Sequence, residues 1–247
     1  MKTPKLICAG ALLLVGSQLS NAEHNLPEQA DGATPEPQES QEENTPTVIS
    51  RLTDDDYREV AERLGVEVAA IKAVVDIEAG RAHEGFFLPG KPIINFDISM
   101  FRRFAGKRGI ALSKYTRTHS EVFARPNARK HGSTQAAQHV RLAKAMTIDE
   151  ATAIEGTFWG MFQLGGFNWK KCGCENMKEF VEKMSSSERA QLDLFAEFIT
   201  NTGLLKHLKA KNWSAFARGY NGPSYAARGY HTRMASAYAR HKAAGAK

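Results

Sequence analysis

Cysteine is scarce in this chain, with three in 247 residues. That excludes a small domain stapled by disulfides. Cys172 and Cys174 form a C-x-C pair, and no histidine pair at ligand spacing completes a metal site, so no metal or cofactor is expected. A strained local disulfide, an intermolecular bond and two free thiols remain open for the pair. Long apolar runs are also missing: apart from a shorter run at the N-terminus, nothing approaches the roughly 20 residues needed to span a bilayer. Positive charge is absent from residues 23–50, which hold seven acids and no Lys or Arg. Apolar residues make up 42% of the chain, an ordinary share that excludes wholesale disorder, and the length suits one domain or two.

The N-terminus reads as an address. Lys2 and Lys5 precede the apolar run Leu6 to Val15, and Ser20-Asn21-Ala22 places small residues before a cut at Glu23. That order is a secretory signal peptide over 1–22, which implies a secreted or periplasmic protein with no stable membrane insertion after cleavage. Residues 23–50, with Pro27, Pro35, Pro37 and Pro46, bury too little apolar surface to offset their ordering entropy and read as a disordered acidic linker. The remainder, 51–247, carries a formal +11. Solubility explains such a charge, and so does an anionic polymer partner. In an exported protein that polymer is cell wall or envelope rather than nucleic acid.

Residues 51–247 read as one mainly α domain with a small β element. Thr53 with Asp56 predicts a helix start ahead of Tyr57, Val60, Ala61 and Leu64. A second helix is predicted over 66–79, stopped by Gly80, and a short strand over 92–96. Helix returns over 97–105, and residues 106–132 lack periodicity and read as a long loop or irregular lobe. Further helices are predicted near 134–146, 148–164, 175–184, 187–201, 203–211, 212–219 and 223–241, with Ser187, Glu188 and Gln191 marking one helix start.

One acid sits on the wrong face. In the helix over 66–79 apolar residues cover most of the circumference. Asp76 lies one turn after Lys72, so it is expected to pair with it and face solvent. Glu78 follows Val74, Val75 and Ile71 on the apolar side. Burial and the negative end of the helix dipole both favour its protonated form, which suits a general acid for glycosidic cleavage. The plain alternative is a buried carboxylate satisfied by an arginine. Glu84 reads as solvated, and Glu155 as an acid near a helix start. Asp97 ends the strand, either capping the next helix or entering a cleft. Thr157 to Gly166 embeds one amide, Gln163, beside Trp159, and Tyr220-Asn221-Gly222-Pro223 joins two helices. Aromatic planes with a few amides suit sugar rings, and core packing and turn chemistry explain the same residues.

These strings together resemble a known family. Glu78 after an apolar helix, Gly85-Phe86-Phe87-Leu88-Pro89, Ile93-Ile94-Asn95-Phe96-Asp97, Trp159-Gly160-Met161-Phe162-Gln163 and Ala217-Arg218-Gly219-Tyr220-Asn221-Gly222-Pro223 are similar to the N-acetylmuramidase family, whose members include phage endolysin catalytic domains. The similarity runs over about 52–242 in order. It implies a lysozyme-like α-helical fold and hydrolysis of the β-1,4 bond between N-acetylmuramic acid and N-acetylglucosamine in peptidoglycan glycan strands. It implies Glu78 as the acid and Asp97, at a position usually occupied by Glu, as base or substrate orienter. Trp159, Gln163, Tyr220 and Asn221 become substrate contacts. Two rivals stay in view: a lytic transglycosylase using the same acid, and a wall-binding module without catalysis. An immunity partner cannot be read from these residues.

Overall fold

The computed structural model describes residues 49, 51–80, 84–124 and 134–245. The signal peptide expected over 1–22 and nearly all of the linker expected over 23–50 lie outside the described residues. Helix α1 (Asp54–Leu64) opens on a capping box, in which the Thr53 hydroxyl accepts from the Asp56 N–H and the Asp56 carboxylate accepts from the Thr53 N–H. Its buried stripe of Tyr57, Val60, Ala61 and Leu64 is the predicted one. Helix α2 (Val68–Glu78) is buried on nearly every side, as its apolar circumference requires.

The chain then forms two small antiparallel sheets. Strand β1 (Phe86–Leu88) pairs with β2 (Lys91–Pro92). Strand β3 (Ile94–Phe96) pairs with β4 (Thr157–Trp159), which pairs with β5 (Leu164–Gly165). The single strand predicted over 92–96 is thus split at Ile93, whose N–H bonds the Gly85 carbonyl while its own carbonyl accepts from Gly160. Helix α3 (Ile98–Lys107) follows, then a 3-10 turn (Leu112–Tyr115) and the short α4 (Ser120–Phe123), both inside the stretch read as irregular.

The rest is helical: α5 (Gln135–Met146), α6 (Glu150–Glu155), α7 (Met177–Ser186), α8 (Glu188–Asn201), α9 (Leu205–Lys209), α10 (Trp213–Asn221) and α11 (Tyr230–Ala243). The helix predicted over 148–164 is corrected. It stops at Glu155, and the chain turns into β4 and β5 through Gly160, at φ +67°, and Gln163, at φ +47°. Both are left-handed conformations that no helix contains. Glu155 accordingly closes a helix instead of opening one, and takes an ion pair from Arg108 at 2.6 Å. Asp76 is corrected too. Lys72 reaches Asp54, and Asp76 turns inward to Arg240 at 3.2 Å and His241 at 3.0 Å on α11. Glu84 lies beside the surface, paired with Arg51. Both late cysteines are free buried thiols, and burial pushes Cys174 up to about 11 and Cys172 higher still.

Candidate active site

Glu78 is the last residue of α2 and is only 5% exposed. Burial is the dominant influence on it and pushes its carboxyl from the ordinary 4.5 up to about 7, against the opposing pull of the Asn221 hydrogen bond and the Arg233 charge. Asn221 Nδ2 donates to Glu78 Oε1 at 2.7 Å. Glu78 Oε2 and Asn221 Oδ1 are buried and have no hydrogen-bond partner among the described residues. Among the described residues no ion pair holds Glu78, and the partner found there is the Asn221 amide instead of an arginine. A carboxyl with one oxygen held and the other unclaimed can keep its proton near neutral pH and donate it to an incoming oxygen.

The end of α10 sets Asn221 in place. Next to it, the Tyr220 ring lies wholly inside an aromatic cluster, stacked on Phe216 at 5.4 Å and edge-on to Phe195 and Phe198. Its hydroxyl donates to the Phe162 carbonyl at 2.6 Å. Tyr220 therefore ties the turn between β4 and β5 to the residue that holds the acid, and its side chain reaches no solvent. Gln163 follows Phe162 in that turn, is buried, and donates from Nε2 to the Gly160 carbonyl at 2.9 Å. The structure thus brings Glu78, Asn221, Tyr220 and the Gln163 turn together.

Trp159 and Asp97 are engaged with other partners. Trp159 is 2% exposed, its indole N–H donates to the Ile154 carbonyl at 3.2 Å, and its ring meets Phe180 edge-on. Face and polar handle are both occupied inside the core, so it packs behind the turn rather than offering a stacking plane. Asp97 resolves in favour of the cap: its Oδ1 accepts from the N–H groups of Ser99 at 2.7 Å and Met100 at 3.0 Å at the start of α3. It makes no hydrogen bond to Glu78 or Asn221 among those described.

Two functional supports escaped the sequence reading. Glu188 and Gln191, read only as a helix start, are buried side chains of α8. Glu188 accepts from the N–H groups of Gly85 and Leu52, each at 2.8 Å. Gln191 accepts from Met161 N–H at 2.8 Å and donates to the carbonyls of Gly85 at 3.2 Å and Met184 at 2.9 Å. One helix thereby grips both the segment that leaves Glu78 and the turn that carries Gln163. Gly85 and Gly160 are glycines because a Cβ at either would collide with the Gln191 side chain. The signal that could have shown this is the spacing of Glu188 and Gln191, which puts both on the same side of α8 as Leu192 and Phe195 and opposite the polar Arg189, Asp193 and Glu197.

No group of three or more His, Cys, Asp or Glu side chains able to hold a metal ion occurs among the described residues. No helix among them is long and apolar enough to cross a membrane. A family model described as N-acetylmuramidase matches residues 67–242. The crystal structure of the Burkholderia AP3 phage endolysin is similar at 35% sequence identity, with a TM-score of 0.66 over 79% of this chain and 72% of that one. No curated protein matches the chain.

Proposed function

Since the chain belongs to the N-acetylmuramidase family, we propose that it is a peptidoglycan hydrolase that cleaves the β-1,4 bond between N-acetylmuramic acid and N-acetylglucosamine, with Glu78 as general acid. One observation carries the assignment: a buried carboxyl, raised to about 7, with Oε2 unpartnered at the end of a helix. Glu78 gives its proton to the bridging oxygen as the bond from that oxygen to the muramic C1 breaks. Positive charge develops on the ring, and water bonds to C1 as its proton passes to the Glu78 carboxylate, which restores the acid. Asn221 fixes the rotamer of Glu78 through Oε1, and Tyr220 and Gln163 hold the turn between β4 and β5 beside Asn221. The formal +11 of residues 51–247 draws the chain to the anionic wall.

A second reading, lytic transglycosylase, is favoured by the cap at Asp97. Hydrolysis with inversion needs a second carboxylate to activate water, and Asp97 Oδ1 is engaged at the head of α3. If the muramic 6-hydroxyl attacks instead, Glu78 alone serves as acid and then base. Mass spectrometry of digested wall separates the two: reducing muramic ends support hydrolysis, anhydro-muramic ends the alternative. Glu78→Gln lowers either activity by about 10²–10⁴-fold while wall binding persists. Loss of turbidity at the wild-type rate in that variant rejects the acid, and an inactive wild type leaves only a wall-binding module. Export through residues 1–22 belongs to the same proposal, and is tested by whether the mature chain begins at Glu23.

A further inference from the structure

Helix α11 packs along α2, and the seam between them opens near the C-terminal end of α2. A cavity of about 370 Å³, lined by Asp76, Gly80, Thr232, Arg233, Ser236 and Arg240, sits where α2 ends. Gly80 is two residues beyond Glu78, and the charge on Arg233 is felt at Glu78 itself. The chemistry of the lining is uneven. Asp76 is already shared by Arg240 and His241, so its charge is met from within the fold. Arg233 forms no ion pair with any described residue. Its guanidinium lies over the Tyr230 ring, centred 5.8 Å away, which keeps its planar fork displayed. Ser236 follows one turn later along the same helix, and Thr232 borders the same space.

We propose that this cavity is a carboxylate subsite, with Arg233 as its anchor and Ser236 as hydroxyl donor, which receives the acidic peptide side arm of the glycan strand. The proposal rests on the glycosidase reading above. In that substrate the sugar whose C1 bond is cleaved is the one that bears the lactyl ether and the peptide attached to it. The side arm must therefore leave the cleft within a few ångströms of the acid, and the described lining offers it a cationic exit. The volume falls in the range of sites that enclose small ligands. An arginine fork binds a carboxylate through two parallel N–H bonds. Its exposure to solvent keeps the gain modest, within about tenfold in affinity.

The test compares two substrates and one small probe. Wild type, Arg233→Gln and Arg233→Lys are assayed on glycan strands with intact peptides and on strands stripped of peptide by an amidase. The quantity read is the ratio of kcat/KM between the two substrates, so any effect of Arg233 on the proton of Glu78 cancels. The ratio is expected to fall about fivefold or more in Arg233→Gln and to recover in part in Arg233→Lys, with KM carrying the change. An unchanged ratio overturns the subsite. In parallel, muramyl dipeptide is titrated into the full chain, with the backbone amides of Thr232 and Ser236 followed by NMR. Saturable shifts that vanish in Arg233→Gln support the subsite even if wild type cleaves nothing, an outcome that would reject the glycosidase reading alone. Absence of shifts at millimolar probe, with cleavage intact, rejects the subsite and leaves the enzyme standing.

Discussion

Replacing Glu78 by Gln should change stability in a way that only a dry, protonated acid explains. An ordinary glutamate loses its proton near 4.5, and in the folded chain Glu78 holds it to about 7. Below pH 4 the group is protonated whether the chain is folded or not, and contributes nothing to the pH dependence. Between 4.5 and 7 the unfolded chain is ionised there while the folded chain is not, so folding takes up a proton. Stability therefore declines as pH rises through that window and levels off above it. The separation of about 2.5, at 1.36 kcal/mol for each, amounts to about 3 kcal/mol. Gln cannot ionise and is free of this term. Its amide nitrogen has no acceptor where Oε2 stood, which adds a constant offset of about 1–3 kcal/mol at every pH. The readout is accordingly the difference between variant and wild type in urea unfolding, followed from pH 4 to pH 8.5. That difference should move in favour of the variant by about 3 kcal/mol over the range, even if the variant starts below wild type. A flat difference would mean that the carboxyl titrates normally in the folded protein, and the acid assigned to it would have no proton at neutral pH.

Substitutions at three other residues probe the supports. Glu67 is held down to about 2 by Lys211 and Lys242, with Tyr238 adding a hydrogen bond. Its contribution is present above pH 4.5 and is lost as pH falls toward 2, so Glu67→Gln should cost about 1 kcal/mol at pH 7, after screening at a part-exposed site, and nothing at pH 2 by the same unfolding assay. Gln191→Leu strips Met161 N–H of its buried acceptor, and should destabilise the chain by about 2–3 kcal/mol in thermal unfolding. Amide exchange at Met161 should also quicken beyond any global effect, and exchange that only follows global stability would show that the turn is held by other contacts. Asp97→Asn preserves a good helix cap, so stability should stay within about 0.5 kcal/mol of wild type, while Asp97→Ala costs about 1 kcal/mol. Wild-type turnover in Asp97→Asn would remove that carboxylate from the chemistry, and loss of turnover with stability intact would reinstate it as a base.

Legibility in the sequence followed the range of the interactions involved. Thr53 and Asp56, Ser187 at the head of α8, and the wrap-around apolar surface of α2 are local patterns, and each element formed where its pattern predicts. The burial of Glu78 follows from the same kind of pattern, because a carboxylate on an apolar helical face is visible from spacing alone. Where a residue's partner lies far along the chain, local reasoning chose the wrong one. Asp76 has a lysine one turn back, yet its neighbours in space are Arg240 and His241, more than 160 residues away. The run 148–164 has helical composition, yet pairing of β4 with β3 overrides it, and the left-handed conformations at Gly160 and Gln163 are readable only once that pairing exists. Trp159 has the composition of a sugar platform and the burial of a core residue, and composition cannot separate the two.

The same distinction explains how a small site is kept accurate around an unfavourable group. A buried acid at a helix C-terminus is destabilised by desolvation and by the helix dipole together, so its position must be fixed by contacts that do not depend on its charge. Asn221 supplies one neutral hydrogen bond, and Asn221 is itself placed by Tyr220, whose ring is packed on three sides and whose hydroxyl is held by Phe162. The turn bearing Phe162 is gripped in turn by Gln191 through Met161. Each link is an amide, a hydroxyl or a backbone group, and none of them is an ion pair. Glu67, with its ion pairs to Lys211 and Lys242, caps the opposite end of α2 from Glu78. The geometry around Glu78 should therefore be the same with its proton present or absent, which is the condition for one carboxyl to give a proton up and take one back within a single turnover.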